Sequence, residues 1–318
     1  MYKTPASMQL LGFPTFRSVR ELAALIRIDA RRLNLIVSRP ERFYRKYRIP
    51  KRRGGWRLIH SPNKEMKAVQ AWILRNILDK LSTSPYATAY VKGRGLLDNV
   101  SPHMSNRYFL SVDIRNFFPS VGSFRVRHLF ETVGYSKLAA NNLSRICSYF
   151  SRLPQGAVTS PTLSNLICLR LDRRLAGLVS RRNVVFTRYA DDITLSTNNR
   201  NVLPRLLPLV YRILREEGFE PHQEKTRILG PRTRCAITGL VKNSSDPAFG
   251  VGKRKKTAMR AVIHNFLARG RAHPDYPSEA SIEGWVQFLK NVDTASYTQM
   301  LRYWNAQKRK YPPQPNGV

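Results

Sequence analysis

The sequence predicts an α+β fold in which a small antiparallel sheet carries an acidic cluster and amphipathic helices precede and follow it. Three observations predict this. Period-2 or β-branched runs occur at Arg107–Ile114, Val184–Arg188 and Ile193–Ser196, and the last two are joined only by Tyr189-Ala190-Asp191-Asp192. Apolar residues recur at helical spacing on either side of these runs. Acids are scarce, 20 against 55 Lys and Arg, yet Asp113, Asp191 and Asp192 all fall at the ends of the strand-like runs.

The N-terminal region, residues 1–50, reads as a basic helical extension. Leu22, Leu25, Ile26, Leu33, Ile36 and Val37 form a helical stripe within Val19–Val37. Lys51–Ile59 reads as a β-hairpin, with Gly54-Gly55 as its turn and Lys51, Arg52 and Arg53 beside it. Ser61-Pro62-Asn63 introduces a helix whose apolar face is Met66, Val69, Ile73, Ile77 and Leu81. The run ending at Asp113 leads to Phe117-Phe118-Pro119, and the Val184–Ser196 hairpin carries its acids at the turn. Leu203–Glu217 is helical and stops at Gly218, and Ile237–Val241 reads as one more short strand. A linker is expected at Ser244-Ser245-Asp246-Pro247, which closes a central core at residue 243. Three amphipathic helices follow within residues 244–318: Lys253–Arg269, one carrying Ile282, Trp285, Val286 and Leu289, and one carrying Tyr297, Met300, Leu301 and Trp304. A loose tail is expected from Tyr311.

Composition narrows the partners. A formal charge of +35 on 318 residues opposes compaction unless a polyanion neutralises it. Nucleic acid is the expected polyanion, because basic side chains on phosphates release condensed counterions. A membrane surface fits less well, since the basic residues run along the whole chain, and no apolar run has the length of a span. Met1–Gln9 lacks a signal-peptide pattern. Cys147, Cys168 and Cys235 are scattered and odd in number, and the six histidines show no zinc spacing. A soluble protein of the reducing cytoplasm is expected.

Adjacent carboxylates repel unless a cation lies between them. Asp191-Asp192, with Asp113 at another strand end, therefore reads as a site for divalent metal, and Mg²⁺ is commonly held by one or two carboxylates plus substrate phosphates. Two such ions clamp the attacking and leaving oxygens of a phosphoryl transfer. Taken alone, the pair reads more readily as a polar hairpin turn, where Asp is common.

Its surroundings decide between these readings. Tyr189-Ala190-Asp191-Asp192 resembles the signature of reverse transcriptases, and Asp113-Ile114-Arg115-Asn116-Phe117-Phe118-Pro119-Ser120 resembles their upstream acidic motif. Leu153-Pro154-Gln155-Gly156, followed by Ser160-Pro161, resembles the intervening segment. The order and spacing of all three carry the resemblance, which a lone Tyr-X-Asp-Asp would not. Asn99-Val100-Ser101-Pro102-His103 and Ile237-Thr238-Gly239 further resemble two segments of bacterial retron reverse transcriptases, with Val for Ala in the first and Ile for Val in the second. At 318 residues, no RNase H, integrase or intron-encoded maturase and endonuclease domain is expected, which suits the retron resemblance.

The resemblance implies a right-hand polymerase with fingers, an antiparallel palm and a helical thumb. It implies two Mg²⁺ ions on Asp113, Asp191 and Asp192. Phe118 would exclude a 2′-hydroxyl from the incoming nucleotide, with Phe117 in the core because adjacent strand residues face oppositely. Gln155 and Gly156 would lie beside that nucleotide, and Arg57 would hold its triphosphate bidentately, with Lys51, Arg52 and Arg53 either assisting or simply solvated. Lys225 would act near the pyrophosphate, as general acid or merely as a surface lysine. Asn99 and His103 would belong to a retron-specific region, with His103 capping a helix, stacking on RNA or packing in a loop. Ile237, Thr238 and Gly239 would lie where a cognate stem-loop is recognised. Lys255, Lys256 and Arg260 would track duplex phosphates or form a solvated helix face. The implied partners are a structured noncoding RNA, the RNA–DNA hybrid product, dNTPs and an effector or toxin protein used in anti-phage defence. The implied product is DNA branched from a guanosine 2′-hydroxyl of that RNA. Other bacterial reverse transcriptases (intron, diversity-generating or abortive-infection types) and a non-catalytic RNA scaffold are the alternatives.

Overall fold

Alternation along one central strand gives the molecule two cores. In the computed structural model, which describes residues 5–51, 54–242, 249–268 and 278–312, nine strands form three antiparallel sheets among the described residues. β1 (Tyr44–Pro50) and β2 (Trp56–Pro62) make a hairpin. β3 (Tyr108–Asp113), β4 (Val185–Tyr189), β5 (Asp192–Thr197) and β6 (Arg227–Leu229) make a sheet ordered β4-β5-β3-β6. β7 (Ala236–Ile237), β8 (Leu240–Lys242) and β9 (Phe249–Gly250) make a small third sheet.

Leu110 and Val112 of β3 enter the main core with Ile193 and Leu195 of β5 and the helices that back the sheet. Phe109 leaves through the opposite face and joins Ile237, Leu240, Phe249, Ile263, Phe266, Val286, Leu289 and Trp304 in a second core. Ser111 and Asp113 share the Phe109 face, because side chains two apart lie on one side of a strand. The alternation thus aims Asp113 away from the main core and toward the second.

Local chemistry explains most boundaries. Asn63 caps Lys64–Asn76 by accepting the Met66 N–H at 2.9 Å. Gly54 and Gly55 take positive φ at the β1–β2 turn, and Gly218 does so after Val202–Glu216. The N-terminal stripe is broken: Val19–Ile26 ends at a left-handed Arg27, and Ala30–Ser38 restarts on an Asp29 cap. Leu22, Leu33, Ile36 and Val37 lie in the main core, so these helices are part of its packing. Ile237–Val241 is two strands and not one. Ile237 pairs with Leu240, and Thr238 and Gly239 both have positive φ, the geometry of a two-residue I′ turn. β1 begins before residue 51, and the second core already takes Cys235, well before residue 244. The three C-terminal helices stand at Lys253–Ala268, Glu279–Val292 and Thr294–Lys310. Arg52, Arg53, the expected linker Ser244–Pro247, Arg269 and the tail from residue 313 lie outside the described residues. No helix among the described residues is long and apolar enough to cross a membrane.

Residues 96–106 cover the far end of the Phe109 face. His103 is fully buried there, with Nδ1 2.6 Å from Ser196 Oγ and Nε2 2.8 Å from Thr187 Oγ1. Asn106 donates to the same Ser196 Oγ at 2.8 Å. Burial lowers the His103 pKa to about 4 from its ordinary 6.5. A folded pKa below the unfolded one means that the imidazole's contribution is intact above pH 6.5. It is lost as pH falls toward 4, where the unfolded chain binds the proton first. The shift is worth about 3 kcal/mol. Urea unfolding between pH 6.5 and 4 is therefore expected to show a steep loss of stability in the wild type and a shallower one in His103→Gln; equal slopes would contradict this assignment.

Candidate active site

Strand register brings the acids together. Asp113, the last residue of β3, is the cross-strand partner of Asp192, the first residue of β5. Asp191 precedes it in the Ala190-Asp191 turn, whose Ala190 is left-handed with φ 56°. The Ile114 N–H donates to the Asp191 carbonyl at 3.0 Å, and the His222 N–H donates to the Asp113 carbonyl at 2.7 Å. Lys225 Nζ lies 2.9 Å from Asp113 Oδ1, an ion pair between a half-exposed ammonium and a mostly buried carboxylate. Asp113 and Asp192 open into a cavity of about 410 Å³. The sheet face, with Ser111, Asp113, Asp192 and Thr194, lines one part of it, and Arg227, Arg234, Thr238 and Gly239 line another.

Burial is the main cause of the unusual acidity here. It raises the Asp191 pKa, and the nearby Asp113 carboxylate raises it further, against the opposing pull of Lys225 and Arg57. Asp192 is pushed up to about 7, first by burial and then by Asp191 and Asp113, with Lys225 opposing. Among the described residues no three His, Cys, Asp or Glu side chains are closed into a ready metal-ligand set. The donor chemistry nevertheless suits a hard divalent cation. All the donors are carboxylate oxygens, and burial and mutual repulsion raise the pKa of Asp191 and Asp192, a shift that a bound cation would oppose.

The other expected residues distribute unevenly. Arg57, exposed on β2, is close enough to Asp191 to bias its ionisation. Phe117 is buried and packs on Phe219 at 5.9 Å, while Phe118 is half-buried with its ring 6.2 Å from Tyr90. The pair divides because Phe117–Ser120 is a helical turn, and not through strand alternation. Gly156 has φ +117°, and a Cβ there would stand 2.8 Å from Ile59 Cγ2 and 3.0 Å from the His60 carbonyl oxygen. The His60 N–H donates to the Gln155 carbonyl at 2.8 Å. The close approach that requires glycine is thus made to the hairpin.

The residues expected near RNA divide between the interior and the surface. Asn99 and His103 are buried. Asn99 accepts from Thr88 Oγ1 at 3.0 Å and donates to Thr238 Oγ1 at 3.4 Å, so the two retron-like segments meet inside the protein. Ile237 is a second-core residue. Lys256 donates to Ser296 Oγ at 2.9 Å and faces Asp293 at 3.8 Å, which ties it to the start of the last helix, Thr294–Lys310. Lys255 donates to the Gly239 carbonyl at 3.1 Å, and the Arg260 guanidinium lies over the Tyr303 ring. Lys255, Arg260, Thr238 and Gly239 remain at the surface or the cavity wall. Sequence reasoning missed Tyr90, Arg227 and Arg234. It also missed the buried pair Arg188–Asp172, whose signal was an arginine inside an otherwise apolar strand.

Comparison with known proteins places this geometry. Residues 49–244 match the family model for reverse transcriptase (RNA-dependent DNA polymerase). The chain is 34% identical to the Retron Ec86 reverse transcriptase of Escherichia coli over 99% of its length and 97% of that protein. It is 33% identical to the Retron Mx65 reverse transcriptase of Myxococcus xanthus over 93% of its length and 73% of that protein. The structure of telomerase from Candida albicans in complex with a fragment of telomeric RNA aligns with a TM-score of 0.51 at 12% identity. That alignment covers 86% of this chain and 61% of the telomerase chain, and it shows a shared fold. The chain belongs to the reverse transcriptases, RNA-directed DNA polymerases whose family depends on divalent metal, and within them to the retron reverse transcriptases. Its template is accordingly RNA.

The raised acidity has a stability consequence. For a carboxylate with a folded pKa above its unfolded one, stability is fully present below about pH 4 and falls as pH rises through about 7. In chelator at pH 8, Asp192→Asn is expected to melt above the wild type, and the difference should vanish near pH 4. A variant that melts below the wild type at pH 8 would show that the charged acid is already compensated.

Proposed function

We propose that this chain copies part of a cognate structured noncoding RNA into DNA, using Asp113, Asp191 and Asp192 to hold two Mg²⁺ ions. The register of Asp113 against Asp192 at the mouth of the cavity carries this reading. Bound there, Mg²⁺ would supply positive charge to the attacking hydroxyl and to the departing pyrophosphate. Arg57 would fold over the triphosphate with its planar fork. Phe118, backed by Tyr90, would meet the sugar and discriminate against a 2′-hydroxyl. Gln155 would contact the same nucleotide, and Gly156 would keep the supporting loop tight against the hairpin. Lys225, paired with Asp113 in the absence of metal, would turn to the pyrophosphate and donate a proton.

The basic surface supports RNA and hybrid binding, with Lys255, Arg260 and the Thr238–Gly239 turn near the product duplex. Likeness to retron reverse transcriptases favours a cognate RNA as partner, and to this reading we add a branched RNA–DNA product and a role with an effector protein in anti-phage defence. Three free, buried cysteines support action in the reducing cytoplasm.

Primer extension on an RNA template with dNTPs and Mg²⁺ tests the central reading. Asp191→Asn is expected to reduce synthesis at least a hundredfold while RNA affinity and melting temperature stay near wild type. Persistent synthesis would remove Asp191 from the metal site.

A further inference from the structure

Behind the acidic turn lies a charged group that the reading above does not use. Arg188 is completely buried in β4, two residues before the turn. Its Nε and Nη2 form a fork on Asp172, at 2.6 Å to Oδ1 and 2.7 Å to Oδ2. Its Nη1 donates to Asn165 Oδ1 and to the Ala190 carbonyl, both at 3.1 Å. We propose that Arg188, oriented by Asp172 and Asn165, is a positioning residue that grips the Ala190 carbonyl and so sets where the Asp191 and Asp192 carboxylates stand.

The physical case has three parts. First, Ala190 is left-handed without being glycine, a conformation that persists only where the surroundings hold it. Second, both turn carbonyls are held from outside the hairpin ladder, that of Ala190 by Arg188 and that of Asp191 by the Ile114 N–H. The strand behind is clamped as well: the Arg188 N–H donates to the Tyr86 carbonyl at 2.8 Å, and its own carbonyl accepts from the Thr88 N–H at 2.9 Å. Third, a buried ion pair is not by itself a source of stability, because well-packed apolar residues often replace one without loss. What an apolar pair cannot supply is a donor to the Ala190 carbonyl. Lysine is also a poor substitute. A single ammonium lacks the planar fork that serves Asp172, Asn165 and Ala190 together.

The proposal rests on the reading that Asp191 and Asp192 bind the divalent cation, and its test separates the two. The double variant Arg188→Met/Asp172→Leu removes both charges, and Arg188→Lys keeps the pair but loses the fork, so each serves as a second route if the other fails to fold. Melting temperature, Mn²⁺ affinity by electron paramagnetic resonance, and kcat and KM for primer extension are measured on each, with Asp191→Asn as the control. In the variants that fold, Mn²⁺ binding is expected to weaken at least tenfold and kcat to fall, with KM for the template–primer nearly unchanged. Mn²⁺ affinity and kcat within twofold of wild type in a folded variant would overturn the proposal and leave Arg188 purely structural. Wild-type Mn²⁺ binding by Asp191→Asn would instead sink the metal reading itself, and the positioning role with it.

Discussion

The pairing of β3 with β5 sets Asp113 across from Asp192, and the rest of the site is organised around the repulsion this creates. Carboxylates this close, partly withdrawn from water, favour the protonated form unless positive charge is supplied. Lys225 and Arg57 supply some of it from the protein itself. Lys225, Arg227 and Arg234 line the same cavity as Asp113 and Asp192, and the chain as a whole carries a formal charge of +35, so a polyanion is attracted to a protein whose carboxylates here call for a cation.

Two polar assemblies inside the protein support the sheet that carries the acids, and they differ in kind. Arg188, Asp172 and Asn165 form a charged assembly behind the turn, in which the long, directional guanidinium reaches several acceptors at once. His103, Thr187, Ser196 and Asn106 form a neutral one at the far end of the sheet. Asn99 extends toward Thr238, at the turn between β7 and β8. That turn borders the same cavity as Asp113 and Asp192. Segments far apart in the chain thereby join the sheet to the second core through hydrogen bonds as well as through Phe109 and its apolar neighbours. The C-terminal helices pack on that second core through Ile263, Phe266, Val286, Leu289 and Trp304.

Much of the site was legible because its elements are local. The hairpin at Gly54-Gly55, the Asn63 cap, the strand ending at Asp113 and the turn at Asp191 each follow from a few neighbouring residues, and each formed where expected. The failures share one cause. For Asn99, His103 and Ile237 a contact with RNA and a place inside the protein both stayed open, because nothing local tells a buried, hydrogen-bonded imidazole from an exposed one; the structure buries all three. Lys256 was read as a phosphate contact, yet its ammonium is taken by Ser296 and Asp293, residues of a later helix that only folding brings near. Gly156 was read for a nucleotide, and its immediate constraint is the carbonyl of His60.

What the sequence determined by itself is the class of chemistry. Residue type and short-range spacing are sufficient to place carboxylates at strand ends in a cationic chain, because strand alternation and turn propensity act over a few residues. Tertiary structure alone decided which polar residues are inside, which lysines are spoken for, and that Arg188 stands behind the acidic turn. Those outcomes depend on contacts between residues far apart in the chain. No local pattern encodes them, since the desolvation that makes a buried arginine or histidine consequential arises only once the cores have closed around it.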